Sequence, residues 1–130
     1  RSCVLLLNGR RFMSKMSERE WRFYIDDMLK FATNAMVYCE GMTQESFVTS
    51  GLNYDATLRN VELIGEAATH IPDEDREKYP QIQWRMNVAT RNRLIHGYLG
   101  VDDDTVWSII ADELPELVTQ LTALKKDIKY

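Results

Sequence analysis

Arg91-Asn92-Arg93-Leu94-Ile95-His96-Gly97-Tyr98 gathers the residue types that can act on a phosphodiester without a metal. Arginine offers a permanently charged planar fork to phosphate oxygens, and histidine moves protons near neutral pH. Together they could serve RNA cleavage. The 2′-hydroxyl would attack the adjacent phosphorus, histidine would move a proton to or from the reacting oxygens, and arginine would stabilise the charge of the transition state. DNA, which lacks that hydroxyl, would survive.

Spacing adds a constraint. At about 100° per residue, Asn92 and His96 share a helical face, whereas Arg91 and His96 differ by roughly 140°. Either His96 swings inward as the helix ends at Gly97, or two copies of the motif face each other across a dimer axis and complete each other. The second arrangement predicts a symmetric interface. The motif also stands out by charge. From Pro80 to Gly100 there is no acidic residue, yet Arg85, Arg91 and Arg93 fall there, in a chain of net charge −4. Acid-rich stretches flank it, Asp73-Glu74-Asp75-Arg76-Glu77 before and Asp102-Asp103-Asp104 after. A broad nucleic-acid footprint is excluded by this balance, so any such site is local. The alternative is a solvated helix face whose arginines pair with Glu62 and Glu66.

The elements that must position this motif read as helices. Ser17-Glu18-Arg19-Glu20 has the form of a capping box, and Trp21, Ile25, Met28, Leu29, Ala32, Ala35 and Met36 follow at helical spacing to about Tyr38-Cys39. Gly41 stands where a C-cap belongs, and Thr43 to Phe47 form a short second helix. A third begins at Asn53 or Asp55 and carries Leu58, Val61, Ile64, Ala68 and Ile71 on one face until Ile71-Pro72 ends it. Asp73 caps a short turn through Tyr79-Pro80. The motif helix runs from about Gln83 to His96, with Trp84, Val88 and Ile95 on one face. The last helix starts at Asp102-Asp103-Asp104, buries Val106, Trp107, Ile110, Leu114, Leu117, Val118, Leu121 and Leu124, kinks or restarts near Glu113 before Pro115, and ends in Lys125-Lys126. No stretch alternates with period two, so the fold class is an all-α antiparallel bundle of about five helices.

The 130 residues suit one domain. Residues 1–13 read as an N-terminal extension or a vector-derived tail, and 14–130 as a single helical domain. The longest apolar run, Cys3 to Leu7, is too short for a bilayer, so no membrane association is expected. Cys3 and Cys39 lack zinc or redox spacing, which fits a cytoplasmic setting. No metal and no cofactor is expected, since His70 and His96 belong to no recognisable ligand cluster. His70, at a helix end, reads as structural, and Trp84 and Trp107 as core. Arg59, Glu62 and Glu66 form a polar stripe, either solvated or a charged wall that orients Arg91 or Asn92 from behind.

The arginine, four residues, histidine, one residue and tyrosine of Arg91-Asn92-Arg93-Leu94-Ile95-His96-Gly97-Tyr98 resemble the motif of the HEPN ribonuclease superfamily, most closely its HepT-like toxins. Asp26-Asp27-Met28-Leu29, Ile64-Gly65-Glu66-Ala67-Ala68, Ile82-Gln83-Trp84, and Val101-Asp102 through Val106-Trp107 extend the likeness over nearly all of residues 17–126. The resemblance implies a homodimer, or a higher oligomer, with both motifs lining a shared cleft. It implies an RNA substrate and metal-independent endoribonuclease activity carried by Arg91 and His96 with Asn92 assisting; Arg59, Glu66 and Arg93 are supporting candidates. It also implies a toxin–antitoxin pair, in which an MntA-type nucleotidyltransferase silences the toxin by AMPylation of Tyr98. Two other readings stand beside it: a non-catalytic HEPN partner subunit of a minimal nucleotidyltransferase, and a plain helical dimerisation domain.

Overall fold

A computed structural model describes residues 18–84 and 103–128. They are helical, with no strand among them. The first helix, α1 (Glu18–Tyr38), buries Trp21, Ile25, Met28, Ala32 and Ala35, a stripe that repeats every three or four residues and turns one side of the helix inward. Leu29 and Met36 flank that stripe and are partly buried. Ser17, the expected start of a capping box, lies outside the described residues. Beyond α1, Gly41 takes φ +77°, the left-handed conformation that glycine adopts without a Cβ penalty.

A short helix, α2 (Gln44–Val48), begins with a closed capping box: the Ser46 N–H donates to Thr43 Oγ1 at 3.1 Å, and the Thr43 N–H donates to Ser46 Oγ at 3.0 Å. Phe47 is its fully buried anchor. The next helix, α3 (Leu52–Ala68), starts at Leu52, earlier than the Asn53 or Asp55 that the sequence suggests. Two side chains explain the difference. Ser50 Oγ accepts the Tyr54 N–H at 3.0 Å and donates to the Phe47 carbonyl at 2.7 Å, so it closes α2 and opens α3. Asn53 is thereby released from capping its own helix, and its Nδ2 donates to the Tyr38 carbonyl at 2.7 Å, at the end of α1. Gly51, at φ +70°, makes the turn between these helices.

On α3, Leu58, Val61, Ile64 and Ala68 are buried as expected, but so are Thr57, Asn60, Gly65 and Ala67, so about half of the helix circumference faces protein. α1 and α3 are antiparallel, because Asn53 meets the end of α1 while His70, just past α3, stacks on Tyr24 near its beginning. Ile71, 1% exposed, and Pro72 end the run. A single turn, α4 (Asp73–Arg76), follows, and here the expected cap is corrected. Pro72, extended at φ −61° and ψ 147°, occupies the cap position, so Asp73 is already helical and its carboxylate instead pairs with Arg76 Nη2 at 3.7 Å.

The C-terminal helical run comprises α5 (Asp103–Ser108), a π-helical turn (Ile109–Glu113) and α6 (Leu114–Asp127). The irregularity expected near Glu113 is this wide turn. Pro115 has no N–H to offer the carbonyl four residues back and its ring crowds that carbonyl, and the Leu114 N–H reaches Ile109 O, five residues back. Val106, Ile110, Leu114, Leu117, Leu121 and Leu124 remain on one buried face through the turn. α1 packs against α6 as well as α3, and Lys125 Nζ meets Asp26 Oδ1 at 2.7 Å, setting the end of α6 beside the first half of α1.

Among the described residues, two ionisable groups are displaced from their ordinary pKa. Burial raises the Cys39 thiol, despite the opposing effect of a backbone hydrogen bond, so it stays protonated, with Sγ 3.2 Å from the Ala35 carbonyl. The Glu113 carboxyl is raised by burial first, then by Asp112 and Glu116.

Truncating the α1 stripe by Ile25→Ala should cost about 2–5 kcal/mol in urea unfolding, because a fully packed site cannot close over the lost volume. Asn53→Ala should cost about 1 kcal/mol through the lost helix-end bond. Because folding raises the Glu113 pKa, its carboxylate favours the unfolded chain, and stability falls as pH rises through the raised value. Glu113→Gln should therefore raise the melting midpoint at pH 7 by about 1 °C, on the scale of like charges neighbouring on a helix. That gain should vanish below the ordinary glutamate pKa, where both states bind the proton.

Candidate functional site

Arg91, Asn92, Arg93, His96 and Tyr98 lie outside the described residues. What the structure gives is the frame on either side of them, from Trp84 backward and from Asp103 onward. On the near side the chain is tied down by its aromatic groups. Trp84 is buried, and its Nε1 donates to the carbonyls of both Arg76 and Tyr79 at 3.1 Å, joining the start of the expected motif helix to the turn that follows α4. Ile82 is buried beside it in sequence. Tyr79 Oη donates to Asp127 Oδ2 at 3.1 Å, and Gln120 Nε2 donates to the Gln81 carbonyl at 2.9 Å, so α6 holds this segment at two points.

On the far side, Gln44 Nε2 donates to Asp104 Oδ1 at 2.6 Å, linking the first turn of α2 to the first turn of α5. Behind that bond the Phe47 and Trp107 rings meet at 5.7 Å, and Phe47 also meets Tyr54 at 5.1 Å. Trp84 and Trp107 thus serve the core, as their register implies. Asp73, Glu74 and Glu77 before the basic stretch in sequence and Asp103 and Asp104 after it are exposed. Asp75 differs: it is buried and takes Lys78 Nζ at 3.4 Å.

Two of the supporting candidates are described. Arg59 Nη1 pairs with Glu62 Oε1 at 2.8 Å, with the arginine side chain 65% exposed. Such an i,i+3 pair in solvent contributes a few tenths of a kcal/mol at most, about 0.3. Glu66 Oε2 lies 3.6 Å from His70 Nε2, both side chains 46% exposed, and the His70 ring stacks on Tyr24 with centroids 4.6 Å apart and planes 15° apart. The stripe therefore consists of the Arg59–Glu62 ion pair and the Glu66–His70 contact along the outer side of α3. Among the described residues no group of three or more His, Cys, Asp or Glu side chains is placed to hold a metal ion, and no helix is long and apolar enough to cross a membrane.

Sequence reasoning missed Gln44, Gln120 and the Tyr24–His70 stack. Neither glutamine belongs to a periodic pattern, and each bonds a residue 39 or 60 positions away. Only the finished packing brings those partners together.

Comparison with known proteins places this frame. The family model described as "Ribonuclease HepT-like" matches residues 22–124, which spans α1 to nearly the end of α6 and encloses the motif. A Methanocaldococcus jannaschii protein named "Putative RNase MJ1216" is 34% identical over 88% of this chain and 94% of its own length. One from Caldanaerobacter subterraneus named "Putative RNase TTE0752" is 34% identical over 77% of this chain and 89% of its own. A third, "Probable ribonuclease HepT" of Thermococcus cleftensis, is 28% identical over 84% of this chain and 99% of its own. No solved structure gives a significant match. The all-α frame, the motif it brackets and a match over most of the described helices converge: the chain belongs to the HepT-like ribonuclease family.

Proposed function

We propose that the chain is a metal-independent endoribonuclease toxin whose site is completed by two copies of the Arg91-to-Tyr98 motif. The observation that carries this reading is that the family match, residues 22–124, takes in the acid-free basic stretch from Pro80 to Gly100, with Arg91, His96 and Tyr98 all present. A purely structural partner subunit would not need all three.

The chemistry is a transesterification. The 2′-oxygen bonds to phosphorus and the bond from phosphorus to the 5′-oxygen breaks. One proton leaves the 2′-hydroxyl and one arrives on the 5′-oxygen, leaving a cyclic phosphate and a free 5′-hydroxyl. His96 moves a proton, Arg91 neutralises the charge that grows on the non-bridging oxygens, and Asn92 orients the phosphate by hydrogen bonding. Arg93 adds local positive charge. Because helical geometry separates Arg91 from His96, each is matched to its counterpart on a second copy of the chain, which makes the homodimer, or a higher oligomer built from it, the active form. Arg59 and Glu66 act at most from behind the site.

Control follows from Tyr98. An MntA-type nucleotidyltransferase transfers AMP from ATP: the tyrosine oxygen bonds to the α-phosphorus and pyrophosphate leaves. A nucleotide two residues from His96 adds negative charge and bulk where an RNA phosphate must enter. The toxin and its target then share the cytoplasm.

Purified protein in excess chelator should cleave RNA and leave DNA intact, with His96→Ala and Arg91→Ala each lowering the rate about 10²-fold or more. Mixing those two inactive variants should restore part of the activity if the site is composite; no recovery from a mixed dimer would place both residues in one chain. Incubation with the transferase and ATP should add AMP to Tyr98, seen by mass spectrometry. Tyr98→Phe should remain unmodified and escape silencing; silencing of that variant would make the antitoxin a simple binder.

A further inference from the structure

The buried stripe of α1 faces the bundle, where α3 and α6 pack against it. The opposite side of the helix is open. Along it Glu20, Phe23, Asp27, Lys30, Asn34 and Val37 follow one another at steps of three and four, so at about 100° per residue they keep within about 50° of one line. That is the spacing of a helix-pairing seam. Its outer positions are apolar where a surface helix is ordinarily polar: Phe23 is 63% exposed and Val37 59%. Tyr38 adjoins Val37, and Leu52, 80% exposed, precedes the Asn53 that bonds the Tyr38 carbonyl. The middle of the line carries one acid and one base. Asp26 is taken by Lys125 and Arg22 is buried, but Asp27 and Lys30 form no ion pair among the described residues. Lys30 Nζ leans over the Phe31 ring, 5.8 Å from its centroid.

The line is its own mirror under reversal. Its steps of three, four, three, four and three read the same from either end, so a two-fold axis crossing α1 between residues 28 and 29 lays the line onto an antiparallel copy of itself. Each Asp27 then comes level with the second copy's Lys30. Each Phe23 comes level with the second copy's Asn34 and about 4.5 Å along the axis from its Val37. A parallel pairing would instead set Asp27 on Asp27 and Lys30 on Lys30.

We propose that the outer side of α1 is a self-association surface, on which a second copy of this chain seats its own α1 antiparallel through two reciprocal Asp27–Lys30 pairs flanked by Phe23. A surface that meets its own image must carry both members of every contact, which this line does at its centre and which an unrelated partner would not require. None of its positions belongs to the Arg91-to-Tyr98 motif, so the contact does not rest on the ribonuclease reading. A single seam of exchanged charges between apolar ends suits a reversible contact at the small end of interface sizes.

Sedimentation equilibrium of the full chain over a concentration series reads the contact. The parent should associate reversibly. Asp27→Lys or Lys30→Asp alone sets like charges opposite each other and should weaken that step about tenfold or more; Phe23→Ser should weaken it to a similar degree through lost burial. An equal mixture of the Asp27→Lys and Lys30→Asp proteins should associate again, because one presents only lysines at the centre and the other only aspartates. The variant carrying both substitutions exchanges the charges and should match the parent within about threefold, with a melting midpoint close to it. In a mixture of isotopically light and heavy parent, a carbodiimide should join Asp27 of one copy to Lys30 of another in mixed-isotope peptides. A parent that stays monomeric throughout the series overturns the proposal. So does association that both charge variants leave unchanged, as a dimer held through the motif alone would show, and so does a cross-link confined to single-isotope peptides.

Discussion

The contact between α1 and α3 is the constraint on which the rest of the molecule depends. Trp21, Ile25 and Met28 supply bulk along α1, while Ala32 and Ala35 are fully buried with almost no side chain. Gly65 and Ala68 on α3 are equally small. Small residues let backbones approach closely, so the pair is set by shape as much as by apolar area. Everything else is hung from it: Asn53 and Ser50 close the turn at one end, the Tyr24–His70 stack lies at the other, and α6 takes its place against the remaining side of α1.

Most of this frame is readable from residue order because it rests on short-range rules. The α1 stripe follows from apolar residues at intervals of three and four, and the end of α3 from a residue before proline. The short α2 follows from Thr43 and its neighbours. The differences arise where a side chain had two possible partners. Asn53 can cap its own helix or close another, and Asp73 can cap a turn or pair with Arg76; spacing alone does not decide between them. Pro115 announces a disturbance, but whether the helix breaks, bends or widens depends on which carbonyl the Leu114 N–H can reach. The motif itself is recognisable by residue type and by the lack of acid within its stretch, whereas the long-range bonds of the frame are not, because a glutamine that bonds a distant residue leaves no periodic trace.

Electrostatics gives the same frame a second meaning. The exposed acids of α4 and of the start of α5 flank the arginines in sequence. They do not help a polyanion to bind. Like charges repel, so a polyanion is disfavoured beside them. On the outer side of α3 Arg59 pairs with Glu62, and Glu66 lies beside His70.

The place of α6 in the chain also orders events during synthesis. Nascent chains emerge from the N-terminus, and the α1–α3 pair needs only the first half of the sequence to form. The arginines and His96 come next, and α6, with Gln120, Lys125 and Asp127, follows them. Until that helix is made and docks on α1, the Gln120 bond to Gln81 and the Asp127 bond to Tyr79 cannot form. A chain still in synthesis thus carries the motif before it carries the helix that holds Gln81 and Tyr79, and completing α6 is what closes the frame on that side.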